Sequence, residues 1–187
     1  MRAATDAELH ADALAVLEGW PAPGGEQEQL RRAYVELLTA RPDACARSCL
    51  PAHLTAGALV ISDDGTQVLL NLHRKARRWF HFGGHLEAGD ATLAGAALRE
   101  ATEESGVPDL ELDPAPLHLS RHGVAFCDPR GPVDHCDVRF LARVPAGTPA
   151  VVSDESLDVR WWPVDALPTE EPDMVGLVAL ARGRFPR

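Results

Sequence analysis

Hydrophobic positions recur with two different periods along the chain, and the change of period divides it. Over residues 5–19 apolar side chains return at helical spacing, with Leu9, Ala13, Val16 and Leu17 leading to Trp20. "PAPGG" (21–25) breaks that run as a linker or turn. A stronger amphipathic helix follows over 26–40, with Leu30, Tyr34, Leu37 and Leu38 on one stripe. Beyond "RPDACARSCLPAH" the pattern shortens. "TAGALVIS" and "TQVLLNLH" read as β-strands separated by "DDG", a hairpin signal. "WFHF" reads as another short strand running into "GGHLEAGD".

Helical period then returns over 91–105, entered at Asp90 as N-cap and left at Gly106 with Pro108 beyond. "LHLSRHGVAF" and "CDVRFLARV" alternate like strands around a "CDPRGP" turn, "SLDVRWW" is a further strand, and a helix over about 172–184 closes the chain. Strands on both sides of a central helix, with a closing helix, predict an α/β sandwich around a mixed β-sheet, preceded by a two-helix extension. The expected division is 1–48 for the helical extension and 49–187 for the main domain. Core packing is the expected role of the extension, with a lid or a dimer contact as alternatives.

Composition changes little in this picture. The 187 residues, 45% hydrophobic and 25% charged, are an ordinary globular mix and enough for a sizeable core. No apolar run approaches the roughly 20 residues of a membrane span. The N-terminal stretch carries acidic residues among its apolar ones, unlike a signal peptide, so a cytoplasmic location is expected. Charge is more informative. A net charge of −10 disfavours duplex nucleic acid as a partner. Yet "HRKARRWF" gathers Arg74, Lys75, Arg77 and Arg78 beside His73. That basic loop is either solvated surface or a receiver for the phosphates of a small anion.

The four cysteines, Cys45, Cys49, Cys127 and Cys136, form no CxxC pair. Buried or free thiols are expected. Zinc held by Cys127, His135 and Cys136 is conceivable, but an adjacent His-Cys is a poor ligand spacing. His122 and His135 fall in strand-like runs where solvent-facing positions would explain both.

The chemistry concentrates in "LREATEESGV" (98–107). Glu100, Glu103 and Glu104 stand at i, i+3 and i+4 of the predicted helix, so their Cβ atoms lie about 5–6 Å apart on one face. Like charges so placed repel by a few tenths of a kcal/mol per pair, which a solvated acidic face tolerates. The glycine loop "FGGHLEAGD" before them and the basic loop beside them favour another reading. Carboxylates are the natural hard ligands of Mg²⁺, and a divalent cation would turn the repulsion into attraction while bridging to phosphate oxygens.

At these residues the chain resembles the Nudix hydrolases, the MutT-like family. Gly84, five residues, Asp90, eight residues and then "REATEESGV" is similar to that family's signature, with Arg99, Glu100, Ala101, Glu103, Glu104, Gly106 and Val107 matching its second half. The resemblance extends from about residue 54 to 184 and implies a Nudix-like α/β/α sandwich. Two departures stand out: Asp90 replaces the usual glutamate, and one extra residue separates it from Arg99. In the family that glutamate pairs with the arginine. With a helix starting at 91, Asp90 and Arg99 would lie about 13 Å apart along the axis. Asp90 would then act only as N-cap, and Glu87 would take over the pairing.

The resemblance also implies roles. Glu100, Glu103 and Glu104, with the backbone carbonyl of Gly83, would bind Mg²⁺ (or Mn²⁺). Arg99 would orient the glutamates, and Glu155 (or its rival Asp154) would supply a further carboxylate as base or ligand. Lys75, Arg78, Trp79 and His85 are candidates for substrate contacts, while Phe80, Phe126 and Trp161 are further aromatics on which a base could stack. The implied reaction is metal-dependent hydrolysis of a diphosphate bond in a nucleoside diphosphate linked to another moiety. The alternative is a non-catalytic Nudix-like nucleotide-binding regulatory module. A diphosphate isomerase is disfavoured by the lack of a cysteine near "WFHFGGH". A homodimer remains open.

Overall fold

A computed structural model describes residues 5–153 and 156–185. Two helices come first, α1 (Asp6–Gly19) and α2 (Gly24–Ala40), then the strands β1 (Ala52–Ser62), β2 (Gln67–His73), β3 (Trp79–Phe80) and β4 (Phe82–His85). The helix α3 (Leu93–Ser105) leads to a long hairpin, β5 (Glu111–Asp128) and β6 (Gly131–Val144), followed by β7 (Ser156–Pro163) and α4 (Pro172–Arg182). The mixed sandwich expected from periodicity is therefore observed. No helix among the described residues is long and apolar enough to cross a membrane.

The seven-stranded sheet is built around β1, which is buried along its whole length. β6 pairs parallel with one edge of β1 from Ala52↔Asp134 to Ser62↔Val144. The other edge is shared: β4 takes Thr55 to Ala58, while β2 takes Val60 and Ile61. β2 and β4 thus leave β1 at different points along one edge, and the glycine strand lies where they separate.

Alternation along β1 assigns the two faces. Leu54, Ala56, Ala58 and Val60 join the core under α1, α2 and α3, while Leu59 and Ile61 meet Met174, Leu177, Val178 and Ala181 of α4. The N-terminal helices share the first core through Leu9, Ala13, Leu17, Tyr34 and Leu38, all of which lie on the stripes read from sequence. Two polar contacts dock α2 on β5. Gln27 donates to the carbonyl of Leu119 (3.0 Å) and accepts from its N–H (2.7 Å), as a neighbouring strand would. The buried Tyr34 hydroxyl donates to the carbonyl of Ser120 at 2.7 Å.

Candidate active site

The acidic helix starts later than its sequence suggests. Thr92, not Asp90, is the N-cap of α3, its hydroxyl accepting from the N–H of Gly95 at 2.9 Å. The end is as expected, with Gly106 closing the helix in the left-handed conformation (φ 67°), where its N–H bonds the carbonyl of Thr102. Because residues 90–92 are not helical, the loop folds back and the axial separation expected for Asp90 and Arg99 does not arise. Arg99 reaches toward the helix N-terminus, as long helical side chains do. Its Nε and Nη2 each donate to one oxygen of Asp90 at 3.0 Å. Asp90 also accepts the N–H of Glu87 at 2.8 Å, which pins the loop to the same carboxylate. Glu87 itself comes only to 4.0 Å of Arg99 and is largely exposed. The shorter acid with one extra residue thus reaches the arginine through loop curvature.

Arg99 gathers the rest of the site. Its Nη2 donates to the carbonyl of His85 (3.1 Å), and its Nη1 to Glu100 (3.0 Å) and Glu103 (3.3 Å). These acidic partners, Asp90 first, hold the guanidinium pKa above its ordinary value. Glu104 is buried, and one of its oxygens accepts from the Gly83 N–H at 3.2 Å and from the Asn71 side-chain amide at 3.4 Å. Glu100 packs over Gly84 so tightly that a Cβ there would lie 2.8 Å from its carboxylate. Gly83 in turn crosses Gly57 of β1, and a Cβ at Gly83 would meet the Gly57 Cα at 2.7 Å. Gly83 is therefore required by its close crossing of β1, and Gly84 leaves the space that the Glu100 carboxylate fills. Burial raises the Glu100 carboxyl to about 6, against the opposing pull of Arg99.

Whether these residues suit a hard divalent cation can be judged from the donors. Glu100, Glu103 and Glu104 offer carboxylate oxygens at three depths, from the buried Glu104 to Glu103, whose side chain is 62% exposed. Asn71 Oδ1 is buried and has no hydrogen-bond partner among the described residues. An oxygen-rich site whose charge is disfavoured by burial, beside an orphan acceptor, fits such an ion.

The basic turn begins at Arg74, three residues after Asn71, and Arg74 donates to the carbonyl of Ser156 at 3.0 Å. Lys75 is exposed on that turn. Arg78 pairs with Glu171 at 2.8 Å, and both are partly exposed. Trp79 packs edge-on against Trp162, with ring centroids 5.3 Å apart. The His85 ring contacts His53, Cys127 and His135. Glu155 and Asp154 lie outside the described residues, as does the Phe126 side chain. His135, expected to face solvent, is instead half-buried among those rings, whereas His122 is exposed.

Sequence reading missed Asn71, whose contact with Glu104 depends on strand pairing. It also missed a buried polar network on the α4 face, where Asp137 accepts from Thr55 (3.1 Å) and Arg139 (2.8 Å) and His81 stands at 3.3 Å. Only the pairing of β1 with β4 and β6 brings those residues together.

Comparison with known proteins follows the same outline. The family model described as NUDIX domain matches residues 51–180. Among solved structures, a NUDIX-family hydrolase from Clostridium perfringens is 21% identical, with 69% of this chain and 95% of that chain covered at a TM-score of 0.53. The dihydroneopterin triphosphate pyrophosphohydrolase of E. coli is 18% identical, covering 67% and 91% at 0.55. A C. elegans Ap4A hydrolase is 18% identical, covering 68% and 93% at 0.53. No curated protein matches the chain. The extent of the family match is decisive: the chain belongs to the NUDIX family. Its class is that of the Nudix pyrophosphohydrolases.

Proposed function

We propose that this chain hydrolyses a diphosphate bond in a nucleoside diphosphate linked to another moiety, such as a second nucleotide or a sugar. The observation that carries the proposal is the placement of Glu104 and Glu100 against the glycine strand, Glu104 fixed by the Gly83 N–H and Glu100 seated on Gly84, with Glu103 held beside them by Arg99. Mg²⁺ (or Mn²⁺) would be held by the three glutamates, with the Gly83 carbonyl as a further oxygen. When bound, such an ion neutralises charge on the diphosphate and activates the attacking water.

The protein's own residues would do the rest. Arg99 holds Glu100 and Glu103 through one Nη1 and is held in turn by Asp90. Lys75 and Arg78 would draw in phosphates. For Arg78 this requires exchange of its exposed pair with Glu171. Trp79 would offer an edge to a base, and Glu155 would serve as base or further ligand. His85 would contribute through its carbonyl, which anchors Arg99. The extension (1–48) and the main domain (49–187) would work as one folded unit, in the cytoplasm and with small molecules as partners.

The competing reading is a nucleotide-binding module without turnover. A solved NUDIX domain, that of Shewanella oneidensis NrtR, is complexed with ADP ribose. The cation-suited acid cluster, with Glu104 buried and Glu100 partly so, favours the hydrolase. A panel of ADP-ribose, dinucleotides, sugar nucleotides and nucleoside triphosphates, assayed for phosphate release with added phosphatase, tests the choice. Turnover that requires Mg²⁺ is expected for at least one compound. Tight binding with no turnover across the panel would select the binding module.

A further inference from the structure

A second cluster of donors lies on the opposite face of the sheet from the glutamates, and the reaction uses none of its side chains. His53 and His135 sit directly across from one another in the parallel pairing of β1 and β6. His85, the last residue of β4, pairs beside Thr55 two residues further along β1, so its ring falls on the same face. Cys127 arrives from the far end of β5, next to the hairpin turn. The three rings pack around one sulfur, which lies 3.3 Å from His135 Nε2, 3.4 Å from His85 Nε2 and 3.9 Å from His53 Nε2. The four donor atoms all lie within 4.8 Å of one another.

These distances have a specific meaning. A tetrahedral ion with metal–nitrogen bonds of about 2.05 Å and a metal–sulfur bond of about 2.3 Å places its sulfur about 3.6 Å from each nitrogen. The three sulfur–nitrogen separations bracket that value. The ring of His53 is also oriented for the task. Its Nδ1 lies 3.1 Å from the carbonyl of Cys49, so with the proton on Nδ1 the Nε2 lone pair faces the sulfur. Without an ion, a single thiol must satisfy three ring nitrogens, and sulfur is a weak hydrogen-bond partner. One cation would satisfy all four donors at once. Arg47, which donates to the carbonyl of Cys127 at 3.3 Å, opposes extra positive charge there, and a thiolate ligand would offset it.

We propose that His53, His85, Cys127 and His135 form a closed, four-ligand zinc site, separate from the glutamate site. Four protein ligands leave no open position for substrate, so the ion's role is structural. It fastens the far end of β5 to β1, β4 and β6. On β4 it fixes the residue whose carbonyl anchors Arg99, which connects the clip to the acid cluster through backbone alone. This proposal does not depend on the chain being a hydrolase.

The test uses full-length protein made without a polyhistidine tag. Elemental analysis after dialysis should find about one zinc per chain, kept in excess Mg²⁺ and kept in a Glu103→Gln, Glu104→Gln double variant. Zinc-stripped protein titrated with Co²⁺ should develop the thiolate-to-cobalt charge-transfer absorption and intense visible bands of a tetrahedral site, saturating at one equivalent. Cys127→Ser should abolish the charge-transfer band. His135→Gln and His85→Gln should each weaken Co²⁺ binding by about a hundredfold or more. Cys49→Ser and Cys136→Ser should keep the band, and circular dichroism of each zinc-free variant checks folding. If Cys127→Ser fails to fold, the two histidine variants decide. Absence of any charge-transfer band in the wild type, persistence of the band in folded Cys127→Ser, or binding undiminished in both histidine variants would overturn the site.

Discussion

Asp90 offers the sharpest test of how this chain assembles its acid cluster. Its carboxylate accepts two hydrogen bonds from Arg99 at 3.0 Å and one from the Glu87 N–H at 2.8 Å, and its side chain is 8% exposed. Removing one partner of a fully buried ion pair costs about 3–5 kcal/mol. Arg99 is 22% exposed and retains Glu100, Glu103 and the His85 carbonyl, so Asp90→Ala should cost less, about 2–3 kcal/mol. In a chain of this size that lowers Tm by about 5–10 °C. Glu87 is the control. It stands 4.0 Å from Arg99 with 67% of its side chain exposed, so Glu87→Ala should cost about 0.5 kcal/mol or less. Thermal denaturation of both variants in metal-free buffer, with Arg99→Ala completing a double-mutant cycle, provides the comparison. A coupling of at least about 1 kcal/mol is expected between positions 90 and 99 and almost none between 87 and 99. Equal losses for the two acids, or a larger loss at Glu87, would show that the loop does not fold back as described.

Three further outcomes follow from the same geometry. Gly84→Ala should displace the Glu100 carboxylate, which a Cβ would approach to 2.8 Å; Mg²⁺ affinity measured by calorimetry should fall about tenfold or more while Tm changes little, because the obstructed atom ends a movable side chain. Burial sets the folded Glu100 carboxyl at about 6, above its ordinary 4.5, so protons compete with the cation below pH 6. Mg²⁺ affinity should therefore be level above pH 6 and fall by up to about tenfold per unit below it, a dependence that Glu100→Gln removes. The sign for stability is opposite: the raised carboxyl favours the folded, metal-free protein below pH 4.5, and that contribution is lost as pH rises through 6, at most about 2 kcal/mol and less where water screens the site. Tyr34→Phe leaves the Ser120 carbonyl without its 2.7 Å bond and should cost about 1–2 kcal/mol by urea denaturation, in one transition if α2 unfolds with the sheet.

How much of this was legible beforehand follows from which interactions are local. Helical stripes such as Leu9–Ala13–Leu17 and Tyr34–Leu38 depend only on residues a turn or two apart, so they could be read, as could the glutamate face of α3 and its glycine stop. Local propensity misplaces the start of α3 because Asp90 and Thr92 are both good caps, and Asp90 is instead engaged by Arg99, nine residues on. That tertiary bond, not local propensity, decides where the helix begins. Asn71 beside Glu104, and His53 across from His135, exist only through strand register, which no local pattern encodes. Sequence groups Cys127 and His135 with Cys136, but Cys136 points into the opposite core, as alternation along β6 requires.

The central claim is that Glu103 and Glu104 hold the cation that makes diphosphate hydrolysis possible. Its most direct test is the rate of Mg²⁺-supported hydrolysis of the best panel substrate by wild type, Glu103→Gln and Glu104→Gln, each verified as folded. Glutamine keeps the shape and can still accept from the Gly83 N–H, but it removes the charge that a cation requires. The account predicts a loss of about a hundredfold or more in kcat for at least the buried Glu104 variant, partly recovered by raising Mg²⁺ if binding is the defect. Hydrolysis within about threefold of wild type in both variants would contradict it.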